Sequence, residues 1–124
     1  MSDGGPFHFG FLEEFGVPLR RFKSGDVVFK AGEDGDTMIL VLEGRIEIKV
    51  GDQIVETLGL HGIAGEMALI DNAPRSATAV AATGCEVAII GRDTFLELVR
   101  EVPSFALYVM QIMALRIRRM NAAY

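Results

Sequence analysis

Gly65-Glu66-Met67-Ala68-Leu69-Ile70-Asp71-Asn72-Ala73-Pro74-Arg75-Ser76-Ala77-Thr78 is the stretch of this chain that strand and turn logic leaves unexplained. It places a single helical turn, residues 66–70, among short strands. Gly65 allows a close backbone approach, and the first N–H groups of the turn have no partner within it, a combination that suits an anion. Arg75 adds the positive charge, and a guanidinium meets a phosphate with paired, charge-assisted bonds that lysine cannot copy. Pro74 stiffens the approach to Arg75, Ser76 adds a hydroxyl donor, and Ala77 leaves room against the backbone. A carboxylate has only acceptors and repels phosphate, so Glu66 suits the hydroxyl groups of a ligand rather than its anion. The ligand so described is a sugar phosphate. Two plainer readings stay open on the residues alone: a salt bridge from Arg75 to Glu66 or Asp71, and Glu66 as a helix-capping residue.

On either side of this segment the chain reads as strands. Short apolar or alternating runs at 27–29, 37–42, 45–50, 54–58, 77–83 and 86–90 are separated by Asp34-Gly35, Glu43-Gly44 and Gly51-Asp52, and glycine supplies the positive φ that tight turns require. Arg45-Ile46-Glu47-Ile48-Lys49-Val50 alternates, which predicts one buried and one wet face. Six or more such strands imply a sandwich or barrel.

The termini differ. Phe7, Phe9, Phe11, Leu12 and Phe15 sit in an irregular arm (1–16) with one helical turn around residues 11–15, and they are expected to cap the core. After Gly91 the period becomes helical: Asp93 or Thr94 is placed to cap a helix that stops before Pro103. A second helix starts at Pro103, with Phe105, Val109, Ile112, Met113, Ile117 and Met120 on one stripe. Its basic end, Arg116, Arg118 and Arg119, suits the helix dipole. Met110, Met113 and Met120 are unbranched and adaptable, which fits a movable lid.

Length allows one domain over 1–124, divided as the arm, a strand-rich body (17–91) containing the 65–78 segment, and terminal helices (92–124). The balance of 12 basic and 17 acidic residues gives a net charge of −5, which disfavours nucleic acid as a partner. No basic leader and no apolar run of about 20 residues is present, so neither secretion nor membrane spanning is expected. The lone Cys85 lies in an apolar run as a small buried hydrophobe and fits a reducing, cytoplasmic compartment. The histidines, His8 and His61, have no metal-ligand or acid–base spacing; we expect no catalytic residue, no metal and no cofactor.

The 65–69 and 74–78 segments together resemble the phosphate-binding cassette of cyclic nucleotide-binding domains. The likeness extends through Gly25-Asp26-Val27-Val28-Phe29, Ala31-Gly32-Glu33, Gly35-Asp36, Glu43-Gly44-Arg45-Ile46, Cys85-Glu86-Val87-Ala88 and Phe95 to cover about residues 17–120. It is similar to the sensor domains of catabolite activator proteins, protein kinase A regulatory subunits and bacterial cyclic-nucleotide-gated channels. The resemblance implies a mainly β fold: an eight-stranded β-roll, or jelly-roll-like barrel, with a short N-terminal helical element and two C-terminal helices. It further implies that Glu66 accepts the ribose 2′-hydroxyl, that the backbone around Gly65, Glu66, Met67, Ala68, Ser76 and Ala77 faces the cyclic phosphate, and that Arg75 neutralises it. By the same likeness Arg116 is the lid arginine, and Met120 and Asn121 are the base contacts. The chain departs from the pattern at Ala64, usually large and apolar, and at His61-Gly62, usually Gly-Asp, which loosens the rear wall. The implied ligand is cAMP, ahead of cGMP, bound by a non-catalytic signal-transduction sensor that signals through its last helix to a separate effector or to an output domain outside this sequence. The competing reading is a β-roll interaction module without nucleotide affinity.

Overall fold

The computed structural model describes residues 9–122; Phe7 and His8 lie outside the described residues. The arm forms one helical turn, α1 (Phe11–Glu14), as its spacing predicts. The strands are β1 (Leu19–Phe22), β2 (Val27–Phe29), β3 (Thr37–Glu43), β4 (Ile46–Val50), β5 (Gln53–Leu58) and β6 (Ile63–Ala64), then β7 (Thr78–Ala81) and β8 (Cys85–Gly91). Between β6 and β7 stands α2 (Glu66–Asp71), and α3 (Arg92–Glu101) and α4 (Pro103–Ala122) end the described chain.

The eight strands form two antiparallel four-stranded sheets, ordered β1-β8-β3-β6 and β2-β7-β4-β5, rolled against each other without closing into a barrel. The reason for two layers lies in the continuous apolar runs. In β3, Met38, Ile39, Leu40 and Val41 are all buried, so both faces of the strand are covered. Met38 and Leu40 point to the helices, joining Ala88, Ile90, Leu98, Phe105 and Val109. Ile39 and Val41 point to the second sheet, joining Ile46, Leu58, Ala79, Ala81 and Val87. The first sheet is thus the middle layer between helices and the second sheet. In the second sheet the alternating strand β4 buries Ile46, half-buries Ile48 and leaves Val50 exposed, so its inner face empties toward the tip of the β4–β5 hairpin.

Two strands were not visible as patterns. β6 is two residues long, and β1 carries Arg20 and Arg21, with only Phe22 buried. The α3 start also differs from expectation: Gly91 is the cap residue and the helix begins at Arg92, ahead of Asp93 and Thr94, with no side-chain cap bond. β8 runs straight into the helix there, its last residue still extended. No single helix among the described residues is long and apolar enough to cross a membrane.

A small aromatic clasp joins arm, sheet and helix. The His61 ring lies 4.2 Å from that of Phe9, which meets Tyr108 of α4 edge-on at 5.6 Å, and the Tyr108 hydroxyl donates to the His61 carbonyl. His61 takes a left-handed backbone conformation, φ 67°, unusual for a non-glycine residue, and its N–H donates to the Val41 carbonyl at 2.7 Å. Burial pushes the His61 imidazole below its ordinary pKa of 6.5. The unfolded chain therefore binds the proton more tightly, and this residue's contribution to stability is present above about pH 6.5 and lost as pH falls below it. Thermal melts at pH 5.5 and 7.5 should show a higher Tm at the upper pH, and His61→Asn, which tolerates the same backbone, should narrow the gap. In the main core, Phe105 is fully buried against Phe11 (5.2 Å) and Phe95 (6.2 Å). Phe105→Ala should cost about 3–5 kcal/mol in urea unfolding.

Candidate ligand-binding site

β6 ends in the first sheet and β7 begins in the second, so the segment between them must cross from one layer to the other. Gly65 makes the turn at φ 83°, α2 follows, and Asn72, at φ 59°, ends it. The strand ends and this crossover enclose a cavity of about 580 Å³. Phe29, Ile48, Val50 and Val55 give it an apolar side, Ala64 to Ala68 and Ala73 to Ala77 line it from the crossover, and Arg116, Arg119 and Met120 line it from α4.

Arg75 is held by an unusual number of neighbours. Its backbone N–H donates to Glu33 O and its carbonyl accepts from Gly32 N–H, each at 2.8 Å, which pins it to the β2–β3 loop. Arg75 as a whole is 8% exposed. Nη1 donates to the carbonyls of Thr37 (2.8 Å) and Gly65 (3.2 Å), and Nη2 to the Thr37 hydroxyl (3.1 Å), while the Phe29 ring lies 4.3 Å from its centre. Two glycines make the space. A Cβ on Gly35 would sit 2.3 Å from Arg75 Nε, and one on Gly65 would sit 2.5 Å from Nη1. Burial lowers the guanidinium pKa, opposed by the charges of Asp36, Glu33 and Glu66. Its hydrogen bonds go to neutral oxygens, not to Glu66 or Asp71, and Asp71 accepts instead from the Ala73 N–H at 3.0 Å.

Glu66 is 5% exposed and makes no cap bond; its Oε1 accepts from Arg116 Nη1 at 3.1 Å. Arg116 also binds Glu56 of β5, Nε to Oε1 at 3.0 Å and Nη2 to Oε2 at 3.3 Å, and donates to the Ile63 carbonyl. With the Tyr108 hydroxyl on His61, α4 is tied to the sheet at two points, so the expected lid is docked in this structure. Arg92 at the start of α3 in turn ties that helix to α2, donating to the Ala68 carbonyl (3.3 Å) and to the Asn72 side chain.

Of the residues singled out from sequence, Gly65, Glu66, Met67, Ala68, Arg75, Ser76, Ala77, Arg116 and Met120 all border the cavity. Asn121 does not. At about 100° per residue Arg119 and Met120 lie near Arg116 on the helix, and Asn121 is turned away and exposed. Ile117 and Met120, expected on the buried stripe, are 57% and 61% exposed, because the last turns of α4 line the cavity rather than cover the sheet. Sequence reasoning missed Phe29, Thr37, Glu56 and Arg119, and it read Gly35 as a turn residue when its lack of a side chain is what admits Arg75. Among the described residues no group of three or more His, Cys, Asp or Glu side chains is placed to hold a metal ion.

A family model for the cyclic nucleotide-binding domain matches residues 19–102. A cAMP-dependent protein kinase regulatory subunit from Debaryomyces hansenii is 37% identical over 84 residues, 66% of this chain and 19% of that protein. A cGMP-dependent protein kinase from Plasmodium berghei is 42% identical over 74 residues, 60% of this chain and 9% of the kinase. The match thus spans a fifth or less of the length of these two relatives. Among solved structures, the Thermus thermophilus catabolite activator protein superposes with a TM-score of 0.77 at 29% identity, covering 87% of this chain and 53% of that one. With the match over residues 19–102, the β-roll and the crossover segment that seats Arg75 between its two sheets, the chain belongs to the cyclic nucleotide-binding domain family.

Proposed function

We propose that this chain is a non-catalytic sensor that binds a cyclic purine nucleotide, cAMP ahead of cGMP, in the cavity beside α2, and that it signals through α4. The observation that carries this is the seating of Arg75: a buried guanidinium with its Nη1 hydrogens spent on carbonyls and its Nε–H and one Nη2–H left for an anion at the cavity wall. Glu66 stands on the same wall as a hydroxyl acceptor, and the apolar side formed by Phe29, Ile48 and Val55 suits a purine base. Charge supports a cyclic ligand over a linear one. The lining holds three arginines (Arg75, Arg116, Arg119) against two glutamates (Glu56, Glu66), leaving one net positive charge. A cyclic phosphodiester carries one negative charge, whereas a phosphomonoester carries close to two at neutral pH.

The preference for cAMP follows the regulatory subunit from Debaryomyces hansenii, whose name carries that ligand; the kinase from Plasmodium berghei makes cGMP the second arm of any test. In this proposal the signal passes to a separate effector or an output domain, and the lone buried Cys85 is in keeping with a cytoplasmic setting. The cavity roles are therefore Arg75 with the backbone of Gly65, Met67, Ala68, Ser76 and Ala77 on the phosphate, Glu66 on the ribose, and Arg116 and Met120 at the lid.

Isothermal titration with cAMP, cGMP and 5′-AMP side by side should give tight binding of a cyclic nucleotide and weak binding of the linear one. Arg75→Lys should keep the fold and weaken the cyclic ligand roughly ten- to a hundredfold, as a point charge replaces a fork whose bonds contribute about 1.5–3 kcal/mol. Silence of all three nucleotides at millimolar concentration would favour the interaction-module reading. Gly35→Ala should weaken the same ligand as strongly as Arg75→Lys, because the added methyl group occupies the place of the guanidinium. Unchanged affinity in that variant would mean that Arg75 acts from some other position.

A further inference from the structure

β5 contains a bulge. Ile48 pairs with Glu56 while Lys49 pairs with Ile54, so Val55 is an extra residue in the strand. Successive residues of a regular strand face opposite sides, yet Val55 and Glu56 both border the cavity. Glu56, paired with Ile48, keeps the inward alternation of Leu58, so one carboxylate stands on a wall that is otherwise apolar, and the bulge adds Val55 beside it. That carboxylate grips Arg116 by two bonds, Nε–Oε1 and Nη2–Oε2, and both side chains are largely sheltered, 21% and 24% exposed.

The grip determines what remains for a ligand. An arginine has five N–H donors. Two go to Glu56, one to the Ile63 carbonyl and one to Glu66 Oε1, which leaves one Nη1–H beside Glu66 and leaves Glu66 Oε2 as an acceptor. A donor and an acceptor side by side match one hydroxyl group, whose hydrogen goes to the carboxylate and whose oxygen takes the N–H. Without Glu56 the guanidinium is free to turn its forked edge onto Glu66 and occupy both carboxylate oxygens.

We infer that Glu56 is a positioning residue for hydroxyl recognition: by holding the fork of Arg116 it keeps half of Glu66, and one Arg116 N–H, open for the sugar. This rests on the cyclic nucleotide reading, in which the hydroxyl is the ribose 2′-hydroxyl. Glu56 itself touches no ligand in this scheme; it acts through Arg116.

The test is a ratio. The cyclic ribonucleotide and its 2′-deoxy analogue are titrated into wild type and Glu56→Gln, with circular dichroism to confirm folding. Wild type should prefer the ribonucleotide by about tenfold or more, the range of one hydrogen bond to a charged group. Glu56→Gln should cut that preference by at least about threefold, and the ratio cancels the change in cavity charge, which acts on both ligands alike. If the variant does not fold, Arg116→Lys takes its place, since lysine keeps the charge without a fork and should lower the ratio likewise. An unchanged ratio in the folded variant, or a wild-type ratio near one, overturns the inference while leaving cyclic nucleotide binding intact. Failure of wild type to bind either ligand at millimolar concentration overturns the binding reading itself, and the inference with it.

Discussion

The site depends on the burial of one cation. A guanidinium can be taken out of water only if most of its donors are met and its shape is accommodated, and here the chain meets three of the five donors and makes the space from four separate places. Thr37 offers a carbonyl and a hydroxyl from β3, Gly65 a carbonyl from the crossover, Phe29 a ring from β2, and Gly35 an empty position in the loop between them. Each of these elements belongs to a different part of the roll, so the seat of Arg75 exists only when both sheets are in register. Conversely, the backbone bonds of Arg75 to Gly32 and Glu33 close the loop that carries Gly35. Fold and site are mutually supporting at this residue.

The middle position of the first sheet gives that seat its rigidity. β3 is buried on both faces and pairs with β6 and β8, which places the Thr37 end of the strand against a packed layer on either side. The second sheet is different. Its β4–β5 hairpin loses burial toward Val50 and Ile54, and it is this thinner end, with its bulge at Val55, that forms the apolar wall of the cavity. Precision is therefore concentrated around Arg75 and latitude on the apolar wall.

How much of this was readable in the residues follows from how local each signal is. The crossover could be read because its chemistry is contiguous: a glycine, a carboxylate and an arginine within eleven residues, with no competing strand pattern. The apolar runs of β3 and β8 were equally plain. β1 was hidden by Arg20 and Arg21, which are free to stay exposed because the strand is an edge of its sheet, and β6 is too short to carry any period. Thr37, Gly35 and Glu56 were missed for a deeper reason. Their roles come from long-range pairing and packing, which leave no mark on the neighbouring sequence. The basic end of α4 suits the helix dipole by its sequence, but that Arg116 turns inward to two carboxylates is set by residues about fifty and sixty positions away.

The two ties of α4 have a mechanical consequence. Tyr108 is fixed to the His61 carbonyl, and Arg116 to Glu66 and the Ile63 carbonyl around β6 and to Glu56 of β5. Eight residues of helix separate the two ties, about 12 Å at 1.5 Å per residue, and Ala122 lies about 21 Å from Tyr108. With the tyrosine as fulcrum, a displacement imposed at Arg116 is enlarged nearly twofold at the far end of the helix. A displacement of one ångström at Arg116 would therefore amount to nearly two at Ala122, with Glu56 and the Ile63 carbonyl as the restraints on Arg116 from outside the crossover.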